Sequence, residues 1–429
     1  MTSPRIVITG MGVHTPLGTQ LDSFLDALLA GRSAISRWSS LPSDSIFAKV
    51  GGDLGVVDFE GLRDAVGPSL PEPVHARLRR LQGRAPWSTR ISMLTAARTA
   101  LDARLFDEGP ELDDCAVVVA GHNLNNRYIH AQHRDFDEDP TWIDGLMSLH
   151  GLDTDHAGSV SELLGARGAI YTVGGACASG NQALRCGVDE IRHHGASAAI
   201  VLGAALDMSV VDLQGMALMR AITTRSFNDQ PERASRPFDT QREGFVPSHG
   251  AAALVLEPLD AARARGARIY AEVVAVEASS DGNHLPNPEV EGQARLLRRL
   301  FKVAGLGPSD IDFVCAHATS TPLGDRTEAR SLREVFGTHA AKLVVNAPKS
   351  LLGHTCWSSA LVESVAAVLQ MNAGRVHGSA NIDELDPEIE LDVCAEGPRE
   401  LSITHCLNDS FGFGGINAVS ILRHPEAIA

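Results

Sequence analysis

Short apolar runs alternate along this chain with stretches of small and helix-forming residues, and that alternation restricts the fold more than any other feature. The runs fall at Arg5–Gly10, Ala116–Ala120, Ala198–Leu202, Ala251–Leu256, Ile269–Val276, Ile311–Cys315, Lys342–Val345 and Ala418–Leu422. Strands separated by helices build an α/β fold, because each helix returns the chain across one face of a sheet. Strand signals in the second half follow an order similar to that in the first. Each half also has a strand that hands over to a helix opening in small residues. One such segment is Gly174-Gly175-Ala176-Cys177-Ala178-Ser179-Gly180, and the other runs from Leu352 through Gly353, His354, Thr355 and Cys356 to Ala360. A duplicated fold is expected, with units 1–256 and 257–429 and a seam near Glu257–Ala267, where Pro258 and a charged stretch follow a strand.

Charge narrows the partners. With 37 basic against 53 acidic side chains, the 429 residues carry a formal charge of −16. There is no general basic surface for nucleic acid or an anionic membrane, both of which are bound through Lys and Arg. An anionic partner needs a local patch, and His75–Arg84 supplies one: it reads HARLRRLQGR, with Arg77, Arg79, Arg80 and Arg84 and no acid. Such a run can equally be a solvated helix face. No apolar run approaches the roughly 20 residues that span a bilayer. The start, MTSPRIVITGMG, shows no charged leader followed by a long apolar segment, so export is not expected. The 7 cysteines are scattered without a Cys-x-x-Cys pair. That usage fits a reducing cytoplasm rather than a disulfide framework or a zinc site.

Cys177 lies where a strand should meet a helix spanning roughly Ala178 to His193. Leu184, Val188 and Ile191 give that helix a buried stripe, and Gly195 follows its end. A thiol at a helix start meets unpaired backbone N–H groups, which favour thiolate, and its small neighbours admit a substrate carbonyl. The competing reading is an inert buried cysteine. His317 follows the run Ile311–Cys315 and enters a small, polar loop, Ala318-Thr319-Ser320-Thr321-Pro322-Leu323-Gly324-Asp325. His354 repeats this arrangement after Leu343–Val345, with Lys349 five residues before it. Any one of the 17 histidines is more often a surface or hydrogen-bonded side chain. The two loops gain meaning together with Cys177. A glycine-rich turn, Ser410-Phe411-Gly412-Phe413-Gly414-Gly415, precedes the last strand and suits close backbone approach.

The motifs Ala-Cys-Ala-Ser-Gly, His-Ala-Thr-Ser-Thr-Pro-Leu-Gly-Asp, Lys-Ser-Leu-Leu-Gly-His-Thr and Gly-Phe-Gly-Gly-Ile-Asn occur in that order. This set resembles the β-ketoacyl-[acyl carrier protein] synthases of the elongating Cys-His-His type, the condensing enzymes of fatty-acid and polyketide assembly. The resemblance runs nearly end to end, from Ile6-Val7-Ile8-Thr9-Gly10-Met11-Gly12 through Ser235-Arg236-Pro237-Phe238-Asp239 to the last strand.

The resemblance implies a thiolase-type fold: duplicated βαβαβαββ halves in a five-layer α-β-α-β-α core. It implies a decarboxylative Claisen condensation of an acyl thioester with malonyl carrier protein. Cys177 would be the acylated nucleophile, and His317 and His354 the pair that stabilises the enolate. Lys349, Glu328 and Asp325 would support the loops, and an ion pair between Lys349 and Glu328 would suffice to fix them. Backbone N–H groups of Cys177 and Phe413 would form the oxyanion hole, with the Phe413 ring as gate. Thr319 and Thr321 would bind phosphopantetheine, and Met216 would line the acyl pocket. Arg77, Arg79, Arg80 and Arg84 would dock an acyl carrier protein. No metal or redox cofactor is called for, since the substrates arrive on the carrier's phosphopantetheine.

A homodimer is the expected assembly, with a heterodimer containing a chain-length partner as the alternative. Other readings of the same scaffold are a malonyl carrier-protein decarboxylase of a β-branching cassette and a non-catalytic chain-length subunit. Members with those jobs commonly lose the cysteine, and chain-length subunits lose the histidines too. This chain keeps all three. Departures at Gly175, at Ala318, at Pro247-Ser248-His249-Gly250 and at Ser358-Ser359-Ala360 point to polyketide or specialised fatty-acid synthesis rather than the housekeeping pathway.

Overall fold

Residues 3–107 and 109–428 are described by a computed structural model. The first half runs β1 (Ile6–His14), α1 (Glu72–Gln82), α2 (Trp87–Asp102), β2 (Cys115–Ala120), α3 (Thr154–Leu164), β3 (Ile170–Val173), α4 (Ser179–His193), β4 (Ala198–Gly203), α5 (Val210–Leu218) and β5 (Ala251–Pro258). The second runs β6 (Ala271–Ser280), α6 (Val290–Ala304), β7 (Phe313–Cys315), α7 (Pro322–Phe336), β8 (Val344–Asn346), α8 (Ser359–Ala373), β9 (His405–Gly412) and β10 (Ile416–Arg423), with shorter elements between them in both halves.

The two halves share one topology. From its outer edge the first sheet is ordered β3-β2-β4-β5-β1, and the second is ordered β8-β7-β9-β10-β6. In each, the two outer pairings are parallel and the next two antiparallel. With α2, α3 and α4, or α6, α7 and α8, in the crossovers, each half is a βαβαβαββ unit. The sheets join where Ile6–Ile8 of β1 pair antiparallel with Ala271–Val273 of β6.

Strand alternation sends successive side chains to opposite faces, which builds the layers. On β2, Ala116, Val118 and Ala120 enter the central core with Leu184, Val188, Leu361 and Val365 of α4 and α8. Val117 and Val119 face outward, against Met93 and Ala97 of α2 and Leu163 of α3. The second sheet repeats this, with Val314 and Val419 covered by Leu297, Leu300, Leu332 and Phe336 of α6 and α7. The result is the expected α-β-α-β-α stack. Its middle helices approach so closely that a Cβ on Gly180 would lie 2.9 Å from the Cβ of Ala360 and 2.9 Å from the Leu361 nitrogen. Among the described residues, no helix is long and apolar enough to cross a membrane.

Candidate active site

Duplication places the candidate groups. In each half, the groups follow from the turn that opens the central helix, α4 or α8. In the first this is the single turn Ala176–Ala178 that opens α4, and in the second it is the turn Cys356–Ser358 that opens α8. The two turns are in contact. Each begins with a non-glycine residue in the left-handed region, Ala176 at φ 47 and Cys356 at φ 55. A third such residue, Ala318 at φ 34, follows His317 at the end of β7. Left-handed backbone costs an L-residue roughly 1–2 kcal/mol, and such positions concentrate where a site dictates side-chain direction.

Cys177, His317 and His354 are all buried, and one potential ligand atom from each lies within 4.8 Å of the others. The imidazoles of His317 and His354 meet edge-on, with centroids 5.5 Å apart. Segment 411–413 closes over the thiol, and Gly412 is what permits it: a Cβ there would lie 2.8 Å from the Gly175 carbonyl and 3.2 Å from the Cys177 nitrogen.

Hydrogen bonding fixes the tautomers. The Cys356 N–H donates to His354 Nδ1 at 3.1 Å, so the ring proton of the neutral imidazole sits on Nε2, which is buried and has no protein partner. Lys349 Nζ lies 3.4 Å from His317 Nδ1. An ammonium only donates, so the His317 proton also belongs on Nε2. Burial holds both imidazoles well below the usual histidine range. The Lys349 charge adds to this at both rings, and His354 adds to it at His317. Both rings are therefore neutral hydrogen-bond donors at physiological pH.

Cys177 departs from the helix-start expectation. Burial pushes its thiol up to about 11, outweighing the Lys349 charge and the Phe413 and Cys177 backbone N–H groups that favour thiolate. Alkylation by iodoacetamide should therefore accelerate about tenfold per pH unit from neutral pH towards about 11. A plateau already reached near neutral pH would show that the thiol is more acidic than its surroundings imply.

The support around these groups corrects one expectation. Lys349 does not pair with Glu328. Its ammonium forms a buried ion pair with Glu363 of α8, whose carboxyl burial raises to about 7. Glu328 instead accepts the backbone N–H groups of His317 and Ala318, each at 2.8 Å, and Asp409 Oδ1 accepts the His317 N–H at 2.7 Å. Burial and the neighbouring Asp409 push the Glu328 carboxyl up. Asp325 anchors the same loop by accepting the Ser320 N–H at 3.1 Å and the Phe238 N–H at 2.9 Å, while pairing with Arg242 at 3.2 Å. No motif in the sequence marks Glu363 or Asp409. The signal for Glu363 was a lone acid in the apolar run Ser359–Ala373.

Two cavities meet at the thiol. One of about 300 Å³ is lined by Thr319, Thr321, Leu323, His317, His354 and Phe413 and reaches Cys177. The hydroxyls of Thr319 and Thr321 are 3.0 Å apart. The second, of about 390 Å³, is lined by Met216, Met219, Phe245, Trp357 and Phe413 and also reaches Cys177 and His354. Phe413 borders both. A larger cavity of about 950 Å³ near Arg268–Tyr270 includes none of these groups.

The basic run covers the last turns of α1 and, with Arg84, the residues just after it, and it enters neither cavity lining at the thiol. Arg77 is half-buried and its Nε donates to the Leu163 carbonyl at 2.9 Å; Arg80 is exposed and paired with Glu162 at 2.6 Å. Exposed Arg79 and Arg84 carry the remaining charge of the run.

Residues 3–262 match the family model for the beta-ketoacyl synthase N-terminal domain, and residues 270–383 match that for the C-terminal domain. The chain is 31% identical to a 3-oxoacyl-[acyl-carrier-protein] synthase 2 of Coxiella burnetii, over 98% of this chain and 99% of the relative. It is 29% identical to the polyketide biosynthesis malonyl-ACP decarboxylase PksF of Bacillus subtilis, over 99% and 97%. Among solved structures, a beta-ketoacyl synthase from Burkholderia phymatum superposes with a TM-score of 0.85 at 28% identity, covering 98% of this chain and 99% of the other. The ishigamide ketosynthase/chain length factor gives a TM-score of 0.87 at 26% identity, covering 99% and 100%.

Proposed function

We propose that this chain, which belongs to the beta-ketoacyl synthase family, condenses an acyl thioester with malonyl-acyl carrier protein in polyketide or specialised fatty-acid synthesis. The observation that carries this reading is a thiol with an imidazole nitrogen of each of two histidines within 4.8 Å, set where two cavities meet. One cavity can admit the phosphopantetheine arm past Thr319 and Thr321. The other can hold the acyl group beside Met216.

The chemistry runs in two displacements. Cys177 Sγ attacks the carbonyl of the incoming acyl thioester, the C–S bond to the carrier breaks, and the thiol proton leaves with the departing pantetheine sulfur. The oxyanion formed on the way lies against the N–H groups of Cys177 and Phe413. Splitting the condensation through a covalent intermediate replaces one difficult step by two easier ones. Malonyl carrier protein then enters, and its carboxylate departs as carbon dioxide. The electron pair of the broken bond becomes an enolate, whose oxygen accepts hydrogen bonds from Nε2–H of His317 and His354. Those donors stabilise charge only as it develops, which is where binding accelerates a reaction. The enolate carbon attacks the acyl carbonyl on Cys177 and releases the cysteine sulfur as thiolate, which takes a proton from solvent to restore the thiol, with the β-ketoacyl product on the carrier.

A malonyl carrier-protein decarboxylase would need the histidines and no thiol, so the buried, two-cavity setting of Cys177 favours condensation. The test is the mass of the peptide bearing Cys177 after incubation with a panel of acyl carrier proteins. A covalent acyl group on Cys177 is expected, and its absence with every carrier would overturn the reading.

For docking of an acidic carrier protein, the exposed charges at the end of α1 and just beyond it are the proposed contact, with Arg79, Arg80 and Arg84 at its centre. Charge reversal at Arg79 and Arg80 is expected to slow association several-fold at low ionic strength and to matter little at high salt. Unchanged association at low salt would assign docking to another face. The proposed assembly is a homodimer, with a heterodimer containing a chain-length partner as the alternative outcome of a mass measurement in solution.

A further inference from the structure

The duplication has a consequence for acyl recognition. The turn Ala176-Cys177-Ala178 of the first half corresponds to the turn Cys356-Trp357-Ser358 of the second, since each follows the third strand, starts at a left-handed residue and opens a central helix. Trp357 is thus the topological counterpart of Cys177, and the two turns touch. Its indole lines the 390 Å³ cavity together with Cys177, Met216, Met219, Phe245 and Phe413. It does not line the cavity of Thr319 and Thr321.

The indole is braced. The His122 ring stacks on it at 4.4 Å with planes 23° apart. Burial lowers the His122 pKa against the opposing charge of Asp153, which favours the uncharged ring. His122 is itself backed by Gly174, where a Cβ would sit 3.2 Å from the imidazole Cδ2. A flat, two-torsion side chain held between a stacked ring and a helix start presents a fixed surface rather than an adaptable one. Met216 and Met219, on the same cavity, are flexible and can re-pack.

We infer that Trp357, held by His122, sets the upper size of the acyl group that Cys177 accepts, so that the chain selects short or compact acyl thioesters. The inference rests on the reading of Cys177 as the acylated residue. It assigns specificity to the indole, with His122 as its positioning residue and the methionines as adaptable lining.

The test uses acetyl, butyryl, hexanoyl, octanoyl and decanoyl thioesters of N-acetylcysteamine, with second-order rates of Cys177 acylation followed by intact-protein mass. Hydrophobic pockets discriminate by about 10–200-fold per methylene. In Trp357→Ala the decanoyl-to-butyryl rate ratio should therefore rise by at least about tenfold. Trp357→Phe, which keeps an aromatic ring and guards against a variant that fails to fold, should raise it by a smaller factor. His122→Ala, which keeps the tryptophan but removes the ring stacked on it, should shift the ratio in the same direction by a smaller factor. A purely structural role would lower the rates for all thioesters alike and leave the ratio where it stands. An unchanged ratio in Trp357→Phe and Trp357→Ala, with Cys177 still acylated, overturns the inference alone. Failure of the unaltered chain to be acylated by any thioester or acyl carrier protein overturns the reading of Cys177 instead.

Discussion

Cys177→Ala is expected to lose condensation altogether while still releasing carbon dioxide from malonyl carrier protein. The two half-reactions draw on different groups. Acyl storage requires a sulfur at the junction of the two cavities, and none of the remaining cysteines offers one in that position. Cys356 is nearest in setting, beside His354, but it lines only the cavity of Met216 and not that of Thr319 and Thr321, so its sulfur does not stand at their junction. Carbon dioxide loss needs the imidazole donors of His317 and His354, which an alanine at 177 leaves in place. The substitution removes a small side chain from a turn of small residues, so the fold should survive, and thermal unfolding checks that separately. Stable acylation of the alanine variant, or undiminished β-ketoacyl product, would remove Cys177 from the mechanism.

His317→Ala should do the reverse, suppressing carbon dioxide release by on the order of 100- to 1000-fold, the usual cost of one donor at a developing oxyanion. Acylation of Cys177 should suffer less, because the N–H groups proposed to receive that oxyanion belong to Cys177 and Phe413. The loop should hold, since its anchors are the backbone N–H groups of His317 and Ala318 on Glu328 and Asp409, which alanine at 317 retains. His354→Ala is expected to slow both steps, because one of its ring nitrogens lies within 4.8 Å of the thiol sulfur as well as of a His317 ring nitrogen. Release of labelled carbon dioxide and acylation of Cys177, measured separately on each variant, read the two effects. Near-normal decarboxylation in His317→Ala would leave the malonyl site to His354 alone.

The duplicated α/β plan was legible because most strands are short apolar runs between helices, and Leu184, Val188 and Ile191 are all buried in the central core as their spacing requires. Two strands of the ten-stranded sheet lie outside those runs, the first of them expected before Cys177 only without bounds. Ile170–Val173 is a four-residue edge strand, half-exposed and too short for a pattern. His405–Gly412 is buried yet carries Asn408, Asp409 and Ser410, because its polar side chains serve the interior: Asn408 donates to the Ala360 carbonyl at 2.8 Å, and Asp409 accepts from His317. Hydrophobic periodicity does not report a strand of that kind.

At the site, the motifs named Cys177, His317 and His354, and the structure brings those three together. What the motifs could not carry was three-dimensional pairing. The choice of Glu363 over Glu328 as the partner of Lys349 depends on α8 packing beneath the loop, which no spacing in the sequence encodes. The thiol tells a similar story. Reasoning from a helix start favours thiolate, but full burial outweighs it, and burial is a tertiary quantity. Trp357 escaped notice because a lone aromatic near a helix start reads as core; its correspondence to Cys177 appears only when the two halves are compared strand by strand.

Carbon–carbon bond formation is the most direct test of the proposed activity. Protein acylated on Cys177 and freed of donor should be mixed with one equivalent of malonyl carrier protein labelled in its free carboxyl group, and the products followed by mass in a single turnover. Condensation requires that labelled carbon dioxide, free Cys177 and β-ketoacyl carrier protein appear together in equal amounts. Release of carbon dioxide with acetyl carrier protein as the product, and the acyl group still on Cys177, would contradict condensation and leave a decarboxylase.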